Sequence, residues 1–285
     1  MSALTTEELA DLLLRTSRTF ALAIPLLDEP IRTEVGVAYL LYRLADTLED
    51  APKWGRDERT RALDSFAAWL EGEDRAWLDQ IAKSSPDDDE GCRALLERAD
   101  AVRGLAMENE AAWRPMRRHV VRTTKRMSEF VARQDERGAV VLADIEDLRG
   151  YCYAVAGIVG ELLTDLFVLH APSLSEVEAD LVARAATFGE ALQLVNILKD
   201  AGSDAVQGRR YLPPTVEHAS VVALARADLA TANEYLAALV RGGATPDIVR
   251  FCTLPIRLAV ATLDALERGE AKVGREEVMK IVSEL

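Results

Sequence analysis

Asp46 and Asp50, in the stretch YLLYRLADTLED that runs from Tyr39, lie four residues apart. On an α-helix that spacing stacks two side chains on one face, where like charges cost a few tenths of a kcal/mol. A helix that needed only a solvated face would alternate its signs. The spacing recurs about 150 residues later, as Asp200 and Asp204 in GEALQLVNILKDAGSDAVQGRRYLP. There Gln193 and Asn196 precede Asp200 on a segment otherwise built of Leu, Val and Ile. The four predict a polar stripe whose amides are buried and hydrogen-bonded, since an unpartnered buried amide costs about 1–3 kcal/mol. Two such helices facing each other would line a cavity with carboxylates. Hard oxygen donors suit Mg²⁺, which keeps several waters and is shared with substrate phosphates. Divalent ions held between carboxylates and a diphosphate activate the diphosphate as a leaving group. Arg43 lies three residues before Asp46, on the same side. Its planar fork suits two parallel hydrogen bonds to phosphate, and it suits neutralising Asp46 or Glu49 equally well. Tyr39 sits one turn before Arg43.

The elements that must carry these residues are helical. Ala, Leu, Glu and Arg dominate, and apolar residues recur at helical spacing. The pattern predicts helices at about 6–15, 31–50, 57–71, 74–83, 90–107, 109–134, 144–169, 175–200, 221–241 and 245–267. Asp28-Glu29-Pro30 starts one of them and Pro52 ends it, while Arg137-Gly138, Pro172 and Pro213-Pro214 mark other breaks. With no fixed repeat and no long linker, the expectation is one all-α domain over residues 1–285.

The chain has 285 residues and a net charge of −14. That balance argues against nucleic acid and against electrostatic attachment to anionic lipid. Cys92, Cys152 and Cys252 form no CxxC pair, which favours a reducing, cytoplasmic setting without disulfides. No signal peptide and no run of 18 or more apolar residues is evident, so no transmembrane segment is expected. His119, His170 and His218 are isolated and read as structural or surface residues.

Four motifs taken together resemble the squalene/phytoene synthase family: DTLED, NILKDAGSD, TSRTF at Thr16–Phe20, and YCYAVAGIVGELL at Tyr151–Leu163. They fall in the family's order and spacing from about residue 10 to residue 275. The resemblance implies an isoprenoid-synthase helical bundle around a central cavity, acting as a monomer on two molecules of farnesyl diphosphate. It implies that Asp46, Asp50, Asp200 and Asp204 hold Mg²⁺, with Glu49 binding through water and Asn196 adjoining the second set. Ser203 stands where relatives often carry a glutamate. Ser17, Arg18, Phe20, Arg43, Gln193, Asn196 and Lys199 are then substrate contacts. Tyr151 is implied as catalytic, with Tyr39 and Arg43 beside it, because a phenol can move a proton toward departing diphosphate and its ring can stabilise an allylic cation. Gly157 and Gly160 either make room for a prenyl chain or let helices pack closely.

The branch within the family is set by the fate of a cyclopropyl diphosphate of presqualene type. FCTLPIRLAVATL at Phe251–Leu263, with Lys272 to Arg275 beyond it, resembles squalene synthases that reduce this intermediate with NADPH. YCYAVAGIVGELL is as close to dehydrosqualene synthases, which lose a proton instead, as do phytoene synthases. Stopping at presqualene diphosphate is a further alternative. Lipid substrates and products make transient membrane-surface contact an expectation. A non-catalytic prenyl-lipid binding protein would be expected to lack an aspartate motif or Arg43, and this chain keeps all of them.

Overall fold

The computed structural model describes residues 3–17, 19–73, 75–134, 140–206 and 210–285. Every regular element among them is helical. The chain divides into two compact units, Met1–Gln134 and Asp135–Leu285.

The first unit holds α1 (Thr6–Thr16), α2 (Phe20–Ala23), α3 (Ile31–Asp50), α4 (Arg56–Glu71), α5 (Ala76–Lys83), α6 (Glu90–Glu97), α7 (Ala99–Ala106) and α8 (Glu110–Ala132). α3 is its spine. Leu40, Leu41, Leu44 and Leu48 are wholly buried, at the i, i+4 spacing that puts them on one side of the helix. Glu29 caps the start of α3, its carboxylate accepting from the Thr33 N–H at 3.2 Å. Phe66, Trp69 and Trp77 pack with ring centroids 5.1–5.5 Å apart under α4 and α5. The single helix expected over 90–107 is broken at Arg98, and α2 is an element the periodicity did not predict.

The second unit holds α9 (Ile145–Cys152), a wider π turn (Tyr153–Gly157), α10 (Ile158–His170), α11 (Glu178–Val206), α12 (His218–Arg241), α13 (Pro246–Glu267) and α14 (Arg275–Ser283). α11 is central. A Cβ at Gly189 would lie 2.0 Å from the Ala156 carbonyl oxygen, and one at Gly160 would lie 2.0 Å from that of Ala185. These glycines let α11 cross the π turn and α10 backbone to backbone, which assigns Gly160 to close packing. Ile145–His170 and Glu178–Ala205 are long and apolar enough to cross a membrane (mean hydropathy 1.7 and 1.2), but 56% of each apolar window is buried inside the protein. They are core helices of this unit. α14 is a further element that was not predicted: it is only nine residues long and buries none of them fully, although Val278, Ile281 and Val282 share one half-buried face.

Candidate active site

α3 delivers the first acidic pair. Leu44, Ala45 and Leu48 anchor the helix in the core, which turns Arg43, Asp46 and Asp50 outward. The Arg43 Nη1 lies 4.0 Å from Asp46 Oδ2. Its Nη2 donates to Cys92 Sγ at 3.6 Å, and its buried Nε has no hydrogen-bond partner among the described residues. The guanidinium therefore spends little of its donor capacity on the protein. Asp46 keeps 41% of its side chain accessible, yet surrounding protein desolvates it and raises its pKa to about 6, against the pull of Arg43 and with the push of Asp50. A carboxylate held in that state gains from a nearby cation. Glu49, expected beside this pair, is instead turned inward at 7% exposure, and its backbone carbonyl accepts from Arg59 at 3.2 Å.

Tyr39 is tied down. Its hydroxyl donates to the Thr16 carbonyl at 2.9 Å, and its ring lies 5.5 Å from that of Phe20. Burial pushes its phenol above the ordinary value. Ser17 accepts from the Phe20 N–H at 3.0 Å, which shapes the turn between α1 and α2. TSRTF thus reaches α3 through three of its residues. Arg18 lies outside the described residues.

In the second unit, α11 carries the other acidic pair in its last two turns. Lys199 Nζ lies 3.2 Å from Asp200 Oδ2 and donates to Asn196 Oδ1 at 3.4 Å. Asp200 remains 48% accessible. The predicted burial of the amides is not what the structure has: Asn196 is exposed and Gln193 half-buried. Both point away from the Leu194, Val195, Ile197 and Leu198 core, so the stripe needs no internal partners. Ser203 turns its hydroxyl back onto the Asp200 carbonyl at 2.8 Å.

Tyr151 is 4% exposed and stacks on Tyr211, centroids 5.1 Å apart and planes 22° from parallel. Beside it on α9, Arg149 holds two carboxylates from two helices. Its Nη2 lies 3.1 Å from Glu190 of α11, and its Nη1 lies 3.2 Å from Asp228 of α12. Burial raises both carboxyl pKa values against the pull of Arg149. Sequence reasoning missed Tyr211, Arg149, Glu190 and Asp228. Tyr211 had a visible signal, an aromatic residue just beyond the acidic pair.

Among the described residues no three His, Cys, Asp or Glu side chains are grouped closely enough to cage a metal. Mg²⁺ does not need such a cage, since one or two carboxylates plus waters and substrate phosphates complete its octahedron. Accessible aspartates four apart, with the desolvated Asp46 among them, fit that ion.

The family model described as squalene/phytoene synthase matches residues 13–281. The squalene synthase of Schizosaccharomyces pombe is 29% identical over 89% of this chain, and that of Homo sapiens is 29% identical over 88%. The chain spans about three fifths of the length of these relatives, 58% and 61%. The complex of TcSQS with the ligand E5700 superimposes with a TM-score of 0.80 at 26% identity, over 97% of this chain and 84% of that one. A dehydrosqualene synthase shares the fold with a TM-score of 0.62 at 22% identity, over 98% of this chain and 94% of that one. The family-model match over residues 13–281, in a chain with two acidic pairs on apolar helices and an arginine with an unpartnered Nε beside one of them, means that this chain belongs to the squalene/phytoene synthase family.

Proposed function

We propose that the protein is a Mg²⁺-dependent prenyltransferase that joins two farnesyl diphosphates head to head through presqualene diphosphate and forms squalene. We take residues 1–285 as one catalytic domain, cytoplasmic and monomeric, that meets membranes only to exchange lipid. The carrying observation is the group on α3, where an arginine with spare donors faces a carboxylate whose pKa is raised to about 6. Such a pair suits an incoming polyanion accompanied by a cation. Asp46, Asp50, Asp200 and Asp204 would hold the magnesium, which supplies charge neutralisation to a leaving diphosphate. Arg43 and Lys199 add fixed positive charge for phosphate oxygens. Tyr151 presents a phenol and a ring face to the allylic fragment, and its stacking on Tyr211 holds the ring in place.

The named relatives of S. pombe and human support the reductive branch, for which NADPH, when bound, would supply the hydride. Lys272 and Arg275, exposed at the approach to and start of α14, suit its phosphate. Incubation with farnesyl diphosphate and Mg²⁺, with and without NADPH, tests the reading by mass analysis of the products. Squalene that forms only with NADPH is the expected result. An NADPH-independent hydrocarbon would place the chain with dehydrosqualene or phytoene synthases, and presqualene diphosphate in both tubes would mean that the reaction stops halfway. Absence of all three products would leave a prenyl-lipid binding protein.

A further inference from the structure

We propose that the basic face of α8 is a docking surface for an anionic lipid bilayer. Over Glu110–Ala132 this helix carries six Arg or Lys against two Glu, a net of four positive charges in a protein whose total is −14. Arg114, Arg117, Arg118 and Lys125 are all exposed. At 100° per residue they fall within an arc of about 100°, along about 17 Å of helix. The cluster extends beyond α8. Arg103 of α7 lies with its guanidinium 5.0 Å from the Trp69 ring, and its buried Nε has no hydrogen-bond partner among the described residues. Burial lowers the Arg103 pKa, and Arg75 and Arg117 are near enough to lower it further against the pull of Asp100. Part of this charge is met locally: Asp100 lies 2.6 Å from Arg75, Glu71 lies 3.6 Å from Lys125 and Glu129 lies 2.6 Å from Arg126.

Crowding like charges costs stability, so a face arranged this way gains most from an external anion. The occupant follows from shape and composition. Basic side chains spread along one exposed helix face match a plane of headgroups. Trp113 and Phe130 are buried, which leaves α8 no aromatic platform on which nucleobases could stack. Met107, three residues before α8, is 48% exposed and adds an accessible apolar side chain near the start of this helix in sequence. The overall negative charge does not forbid docking, because charges more than about 8–10 Å from the surface are screened at physiological salt. Whole-chain charge therefore misleads about this face. The inference stands on the charge distribution and holds whichever product the enzyme makes.

Binding to vesicles tests it, with phosphatidylglycerol–phosphatidylcholine mixtures compared with phosphatidylcholine alone. The protein should bind only the anionic vesicles, and more weakly as salt rises. At about fivefold per basic residue, the triple variant Arg114→Gln, Arg117→Gln, Lys125→Gln should bind about 100-fold more weakly. A control with the same loss of charge elsewhere, Arg257→Gln, Arg268→Gln, Lys280→Gln, should bind nearly as well as wild type. Circular dichroism checks that both variants fold. Equal losses in the two variants would mean that net charge, not this face, governs binding, and would overturn the proposal. So would equal binding to neutral vesicles, no binding at all, or binding to immobilised polyglutamate in preference to anionic vesicles, which would indicate an acidic protein partner.

Discussion

Asp46 is where chemistry and stability pull in opposite directions. Its folded pKa of about 6 lies above the ordinary 3.8. Between those values the folded chain holds more protons than the unfolded chain, so stability falls as pH rises through that window and stays penalised above it. In metal-free protein, Asp46→Asn should therefore raise Tm at pH 8 and leave it nearly unchanged at pH 4. Because the side chain is 41% accessible, solvent screens the penalty and the gain should be no more than a few degrees. The same variant should lose turnover. A Tm at pH 8 that is unchanged or lowered would show that Asp46 bears no such penalty. The two tyrosines should separate as well. Tyr39→Phe removes the donor to the Thr16 carbonyl and should cost about 1 kcal/mol in denaturant melts, with kcat reduced less than tenfold. Tyr151→Phe should instead slow the first condensation in single-turnover measurements and leave substrate affinity intact. A large kcat loss in Tyr39→Phe without loss of stability would move the chemistry to that phenol.

At the scale of elements, the Arg149 cluster binds α9, α11 and α12 together through one guanidinium and two carboxylates. Arg149→Leu would strand both carboxylates at 9% exposure or less. The cost should be about 3 kcal/mol, toward the lower end for breaking a buried pair because Arg149 itself is 36% accessible. Burial already raises both carboxyl pKa values, so each takes up a proton in the folded state more readily than in the unfolded state. The deficit in urea melts should be largest near pH 8 and shrink toward pH 5, and a deficit independent of pH would rule out stranded charge as its cause. This cluster also marks the limit of what the sequence conveyed. Helix periodicity located α3, α4, α8, α12 and α13 within a few residues, because each buries a clear apolar face. It could not place the break at Arg98 or the π turn at Tyr153–Gly157, where helical composition continues through a change of backbone. The acidic pairs were legible because like charges at i, i+4 violate a local rule. Glu190 and Asp228 were not, since a single acid in an apolar run acquires meaning only from the arginine that meets it. Asn196 and Gln193 were misjudged for the opposite reason: apolar neighbours suggested burial, but on α11 those neighbours occupy other faces.

At the scale of the whole molecule, the two acidic pairs belong to different compact units, Asp46 and Asp50 to the first and Asp200 and Asp204 to the second. Each unit is large enough to bury a core of its own. If both pairs serve the same reaction, a non-reactive farnesyl diphosphate analogue with Mg²⁺ should stabilise the entire chain. At 100 times its Kd such a ligand adds about 2.7 kcal/mol, or roughly 4–5 °C for a chain of this size. Calorimetry should show one transition that moves upward as a whole, as expected for a single domain over residues 1–285. The metal or the analogue alone should move it less, because carboxylates and diphosphate repel until a cation joins them. Asp46→Ala and Asp200→Ala should each abolish the joint shift while melting close to wild type without ligand. Two resolved transitions, of which only one responds, would mean that one acidic pair takes no part in holding the diphosphates, and the proposed reaction would have to be rebuilt on the other pair alone.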